Sequence, residues 1–132
     1  MELPQRRARK AEQETADRHG ARLTPASGSG TIKNDARNDE WSIEVKSTSA
    51  WTYGLDQSVL AIAENNALVD GRRMLLVVTF VPKRAQPGRA KRYVVMSEDD
   101  HLERELDLER YRAAVKRLDD ENWQLWSKIE EC

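Results

Sequence analysis

Apolar and polar residues alternate most cleanly over WSIEVKST, residues 41–48. Trp41, Ile43 and Val45 fall on one side of an extended chain, and Ser42, Glu44 and Lys46 on the other, because successive strand side chains point to opposite faces. RRMLLVVTFV, residues 72–81, is almost continuously apolar and rich in β-branched residues, the pattern of a buried central strand. YVVM, residues 93–96, predicts a shorter strand. Between the first two strands, Leu55, Val59, Ile62 and Val69 line one helical side, and Gly71 closes that helix. An earlier helix runs to about His19 and ends at Gly20. Residues 22–35 and 82–92 read as loops, the second strongly basic. From residue 97 the chain becomes one long helix, with Ser97 as its cap and Glu98, Asp99 and Asp100 in its first turn. This order predicts an α/β fold: a small mixed central sheet flanked by helices, plus a long C-terminal helix. The expected divisions are a flexible basic arm (1–10), a folded domain (11–96) and the final helix (97–132).

That final helix carries its own pattern. Leu108, Tyr111, Val115, Leu118, Asn122, Leu125 and Ile129 step by three and four in alternation. Leu108, Val115, Asn122 and Ile129 take the a positions of a heptad, and Tyr111, Leu118 and Leu125 the d positions. A single Asn at a sacrifices stability but fixes register, most often in a parallel dimer. The expectation is a homodimer through this helix. The alternative is an amphipathic helix packed on its own domain, which Trp123 and Trp126 favour by widening the apolar face.

Charge adds a division that the net value of −1 conceals. Residues 97–132 hold 12 Asp/Glu and 6 Lys/Arg, a net of −6, whereas residues 1–96 hold 16 basic and 11 acidic groups, a net of +5. The front of the chain can attract a polyanion and the tail cannot. No apolar run reaches the 18 or so residues of a membrane span, and MELPQRRARK has no apolar stretch behind its basic residues, so neither a membrane partner nor a secretory signal is expected. The lone cysteine, Cys132, cannot form an internal disulfide, which suits a reducing cytoplasm (a host's, for a phage-encoded protein). No second His or Cys stands at zinc-ligand spacing.

The chemistry concentrates around Glu44. Glu44 and Lys46 share a strand face about 6.6 Å apart. Asp35 lies nine residues upstream, and a turn through Arg37-Asn38-Asp39-Glu40 brings it back beside them. Two carboxylates and an ammonium at one spot suit phosphodiester hydrolysis. A divalent cation on hard oxygen ligands neutralises the phosphate and lowers the pKa of a bound water. Lysine then orients that water or stabilises developing negative charge.

D-x8-E-x-K, with GARLTPASGSG upstream and IEVKST around the glutamate, resembles the PD-(D/E)xK nuclease superfamily, and within it the archaeal and phage Holliday junction resolvases. The likeness covers roughly residues 11–96. It implies a restriction-endonuclease-like core and a Mg²⁺-dependent endonuclease, also accepting Mn²⁺, that nicks branched DNA symmetrically during recombination or repair. In that reading Asp35, Glu44 and the Val45 carbonyl hold the metal, and Lys46 assists the water. Glu12 completes the site, with Glu14 as the alternative. Asp39 is the rival to Asp35. Ser29 and Ser27 contact the scissile phosphate or the strand backbone, with Arg22 near them, and Lys33 is a further DNA contact. Phosphate contacts along duplex arms come from Arg6, Arg7, Arg9 and Lys10, and from Lys83, Arg84, Arg89, Lys91 and Arg92. Trp51 and Tyr53 are read as packing residues, with base stacking the alternative. Asn34 departs from the proline or glycine usual before the aspartate. The alternatives are another flap, branched or single-strand DNA nuclease of the superfamily, or a non-catalytic DNA-binding assembly module.

Overall fold

In the computed structural model, residues 4–25, 33–83 and 88–131 are described. The chain forms two compact units, residues 1–96 and 97–132. The first contains α1 (Pro4–Arg18), β1 (Arg22–Leu23), β2 (Ala36–Arg37), β3 (Trp41–Thr48), α2 (Gln57–Val69), β4 (Arg73–Phe80) and β5 (Lys91–Val95). The five strands stand in sequence order in one mixed sheet. β3 and β4 run parallel, joined by the α2 crossover, and the other neighbours are antiparallel.

Helix α1 begins at Pro4, so residues 4–10, expected as a flexible arm, are helical. Proline tolerates the first turn because its missing N–H has no intrahelical partner there. Both helices of this unit close on a glycine: Gly20 has φ +58° and Gly71 φ +64°. In each closure the next residue's N–H reaches back, Ala21 to the Ala16 carbonyl at 2.8 Å and Arg72 to the Ala67 carbonyl at 2.9 Å. This is the reversal that satisfies the last carbonyls and needs a left-handed residue.

One sheet face packs Ile43, Val45, Leu75 and Val77 against Ala11 and Ala16 of α1. On the other face Ala63 and Ala67 of α2 meet Met74, with Leu60 partly buried. The expected face of α2 was different. Ile62 and Val69 are 63% and 55% exposed, and the inward side is Leu60–Ala63–Ala67. Alanine lets the helix axis approach the sheet, and the larger residues are left outside. β3 also departs from simple amphipathicity, since residues 41–45 are all buried. Its polar side lies under α2 rather than in solvent. Lys91 and Arg92, expected in a basic loop, lie on β5.

The second unit is α3 (Glu98–Glu130), capped by Ser97, whose Oγ accepts from the Asp100 N–H at 3.1 Å. None of its residues is buried. Among the described residues no helix is long and apolar enough to cross a membrane.

Candidate active site

Local hydrogen bonding makes the β2–β3 hairpin. Asn38 Oδ1 accepts from the Glu40 and Trp41 N–H groups, at 3.0 and 2.7 Å, an Asx turn that folds the chain back. Asp39, exposed, sits in that turn. The fold-back pairs Ala36 with Ile43, and the Asp35 N–H donates to the Ile43 carbonyl at 3.0 Å. Asp35 Oδ2 in turn accepts from the Val45 N–H at 2.8 Å. A strand residue directs its N–H and C=O to one edge, so the Val45 carbonyl points toward the same edge as the Asp35 carboxylate.

Glu44, next along β3, is only 9% exposed. Its carboxyl is pushed up to about 7, first by burial and then by the negative charge of Asp35, with which it also shares a side-chain hydrogen bond. Two groups oppose the shift: the Asn66 amide, which donates to Glu44 Oε1 at 3.1 Å, and the Lys46 ammonium. Asp35, Glu44 and Lys46 therefore stand together. Glu12 on α1 joins their field. Its carboxyl is raised by burial and by Asp35, and lowered by Arg9 one turn away. Glu14 turns elsewhere and pairs with Arg92 at 2.6 Å.

Among the described residues, no three His, Cys, Asp or Glu side chains are grouped to hold a metal ion. A Mg²⁺ site does not require three, since this ion takes one or two carboxylates and keeps several waters. The donors at hand fit such an ion. Two carboxylates stand close together near that carbonyl, and they repel until a proton or a cation comes between them.

A polar scaffold behind the site was not read from the sequence as one. Asn34 is fully buried. It accepts from Thr24 Oγ1, and it donates to Ser42 Oγ and to Asp70 Oδ2, each at 2.9 Å. Asp70, the C-cap of α2, also receives Arg37 at 2.9 Å and Arg72 at 3.0 Å. Arg72 Nε reaches the Asn38 carbonyl at 2.6 Å, tying this network to the hairpin turn. The residue before Asp35 is thus pinned between β1, β3 and α2. Asn66 was missed altogether. Its signal was a polar residue beside Ala67 and three positions after Ala63, on the helical side with the smallest residues.

The remaining candidates are scattered. Arg22, exposed, lies on β1, at the opposite sheet edge from Lys91 and Arg92 on β5. Lys33 is exposed, and its carbonyl lies 3.4 Å from the Asn66 amide. Arg6 and Arg9 are exposed on α1, and Lys83 is exposed after β4. Arg7, Lys10, Arg89 and Arg92 line a separate groove. Ser27, Ser29 and Arg84 lie outside the described residues. Trp51, expected to pack, is 94% exposed, while Tyr53 is half-buried.

Compared with protein-family models, curated proteins and solved structures, the chain matches none.

Proposed function

We propose that this chain is a Mg²⁺-dependent, structure-selective DNA endonuclease with a restriction-endonuclease-like core, acting as a homodimer on four-way junctions. The observation that carries the reading is the convergence of Asp35, Glu44 and Lys46, with the Glu44 carboxyl held near neutrality by burial and by Asp35. Carboxylates forced together in a folded protein store repulsion that a divalent cation relieves. The helix–hairpin–crossover order, which sets Asp35 just before the first strand of the hairpin and Glu44 and Lys46 on the second, supports the same reading.

Asp35, Glu44 and the Val45 carbonyl would hold the ion, and Mn²⁺ would substitute for Mg²⁺. When bound, the ion neutralises phosphate charge and lowers the pKa of a coordinated water. Lys46, on the Glu44 face of β3, orients the attacking water and stabilises charge developing on the phosphate oxygens. Asn66 holds the Glu44 carboxylate in one orientation. Glu12 completes the acidic rim from α1. The hydrogen bonds of Asn34 brace the chain next to Asp35, which favours an intact site over a decayed one. Dimerisation through α3 suits the substrate, because a four-way junction is two-fold symmetric and needs two symmetric nicks.

The test is a labelled four-way junction incubated with wild type, Asp35→Asn and Glu44→Gln, with Mg²⁺ and with chelator. Symmetric nicking by wild type with metal alone, with both variants still binding, is the expected result. Equal cutting by the variants removes the site. Preferential cutting of flaps or single strands moves the protein to another nuclease of this type.

A further inference from the structure

A groove of about 520 Å³ lies between α1 and the ends of β4 and β5, on the sheet face opposite Glu44 and Lys46. Strand register builds its floor. Ser47, Thr79 and Arg92 stand side by side across β3, β4 and β5, a polar row at the end of an otherwise apolar face. Helix α1 supplies the wall at the spacing of one helical side, with Arg7, Lys10, Glu14 and Arg18. Arg89 closes the rim. Among the described residues five cations thus face one carboxylate, and Glu14 is already engaged by Arg92 at 2.6 Å.

The second observation concerns hydrogen bonding. Thr79 is 1% exposed and lines the groove, yet among the described residues its Oγ1 has no partner. The buried Nε atoms of Arg7 and Arg92, in the same groove, have none either. Buried polar atoms are almost always paired, so three orphans in one place call for an explanation. All three can donate, and guanidinium N–H groups can only donate. Glu14 is taken by Arg92, so what the groove lacks is a second acceptor bearing negative charge.

We propose that this groove is a phosphate-binding site, distinct from the Asp35–Glu44 centre, in which Thr79, Arg7 and Arg92 donate to one phosphate group while Lys10, Arg18 and Arg89 supply the surrounding field. The orphaned donors match a tetrahedral oxyanion, and arginine's planar fork favours phosphate over a monatomic anion. Two sources carry that chemistry: the sugar–phosphate backbone of a nucleic acid, and free inorganic phosphate. The backbone source rests on the nuclease reading. The anion site itself does not.

The experiment uses the full chain and four proteins: wild type, Thr79→Val, the double variant Lys10→Gln/Arg89→Gln, and Glu44→Gln. Inorganic phosphate is titrated by calorimetry with chelator present, and short duplex DNA by fluorescence anisotropy over a salt series. Thr79→Val keeps side-chain shape and removes an orphaned buried hydroxyl. It should melt no lower than wild type while losing phosphate affinity at least about tenfold. The double variant should lose affinity similarly, and Glu44→Gln should bind phosphate as wild type does. On DNA, the double variant should flatten the logarithmic salt slope by about 2 for backbone contacts. An unchanged slope with lost phosphate binding assigns the site to free phosphate. Wild-type phosphate affinity in Thr79→Val and in the double variant overturns the proposal. So does loss of phosphate binding in Glu44→Gln, which would place the anion at the catalytic centre. Nicking that fails while phosphate binding persists removes the nuclease reading and leaves this site standing.

Discussion

Asn66 of α2 donates its amide to Glu44 Oε1 of β3 at 3.1 Å, across 22 positions of chain. The bond favours the charged carboxylate in a site where burial and Asp35 both oppose it. Asn66→Ala should therefore push the Glu44 carboxyl still higher. A hydrogen bond to a charged group is worth about 1.5–3 kcal/mol, which corresponds to roughly one to two pKa units. The pH midpoint of Mg²⁺-dependent nicking should move up by about one unit, with activity recovered in alkali. An unshifted midpoint would separate Asn66 from the chemistry.

Glu44 also sets a pH dependence of stability that needs no substrate to measure. Its folded-state value of about 7 lies above the ordinary 4.5. Between these values the folded chain holds the proton more tightly than the unfolded one. Stability is fully present below about pH 4.5 and falls as pH rises through 7. At about 1.4 kcal/mol per unit the loss is on the order of 3 kcal/mol. Glu44→Gln keeps an acceptor for Asn66 and removes the charge. In chelator it should be more stable than wild type at pH 8 by about 1–3 kcal/mol, and equal at pH 4. Urea unfolding at the two pH values checks this. No gain at pH 8 would mean that the carboxylate is not under stress.

Asn34 makes the scaffold prediction. It joins Thr24, Ser42 and Asp70 while fully buried. Asn34→Gly removes all three bonds and leaves buried partners unsatisfied. The expected cost is about 2–4 kcal/mol by urea unfolding, larger than for an exposed asparagine. A loss under about 0.5 kcal/mol would show that the network does not support Asp35.

Trp51 carries the opposite expectation. At 94% exposure it has almost no packing to lose. Trp51→Ala should change unfolding stability by no more than about 0.5 kcal/mol. A loss of several times that would restore the packing role that the sequence suggested.

The legible parts of this protein were those governed by short periods. The alternation of WSIEVKST, the apolar run of β4 and the two closing glycines act through neighbouring residues, and each appears where the pattern put it. β1 and β2, of two residues each, were hidden because so short a strand carries no period of its own. The buried side of α2 was misread for a related reason. Hydrophobicity favours Ile62 and Val69, but the close approach of helix to sheet selects Ala63 and Ala67. Glu44, Lys46 and Asp35 could be named from spacing. Asn66 and Asp70 could not, since their roles depend on where a crossover helix lands. The pairing of Glu14 with Arg92, 78 residues away, likewise needed the sheet.

The last prediction concerns α3. Val115 and Leu118 are 40% and 55% exposed, on a helix with no buried residue. A helix of 33 residues with an apolar seam along it is costly to leave in water, and the heptad spacing of Leu108 to Ile129 matches a second copy of the same helix. Leu118→Glu in a d position sets two like charges against each other across a parallel seam. It should convert a dimer into a monomer in sedimentation at micromolar concentration, with α1, α2 and the sheet intact by circular dichroism. Asn122→Val should do the reverse. It removes the one polar a residue, tightens association, and relaxes the register that the asparagine enforces. On a four-way junction the Leu118→Glu monomer should still nick, but the two cuts should become independent, so singly nicked junctions accumulate. If Leu118→Glu and wild type sediment alike, the seam is not the interface.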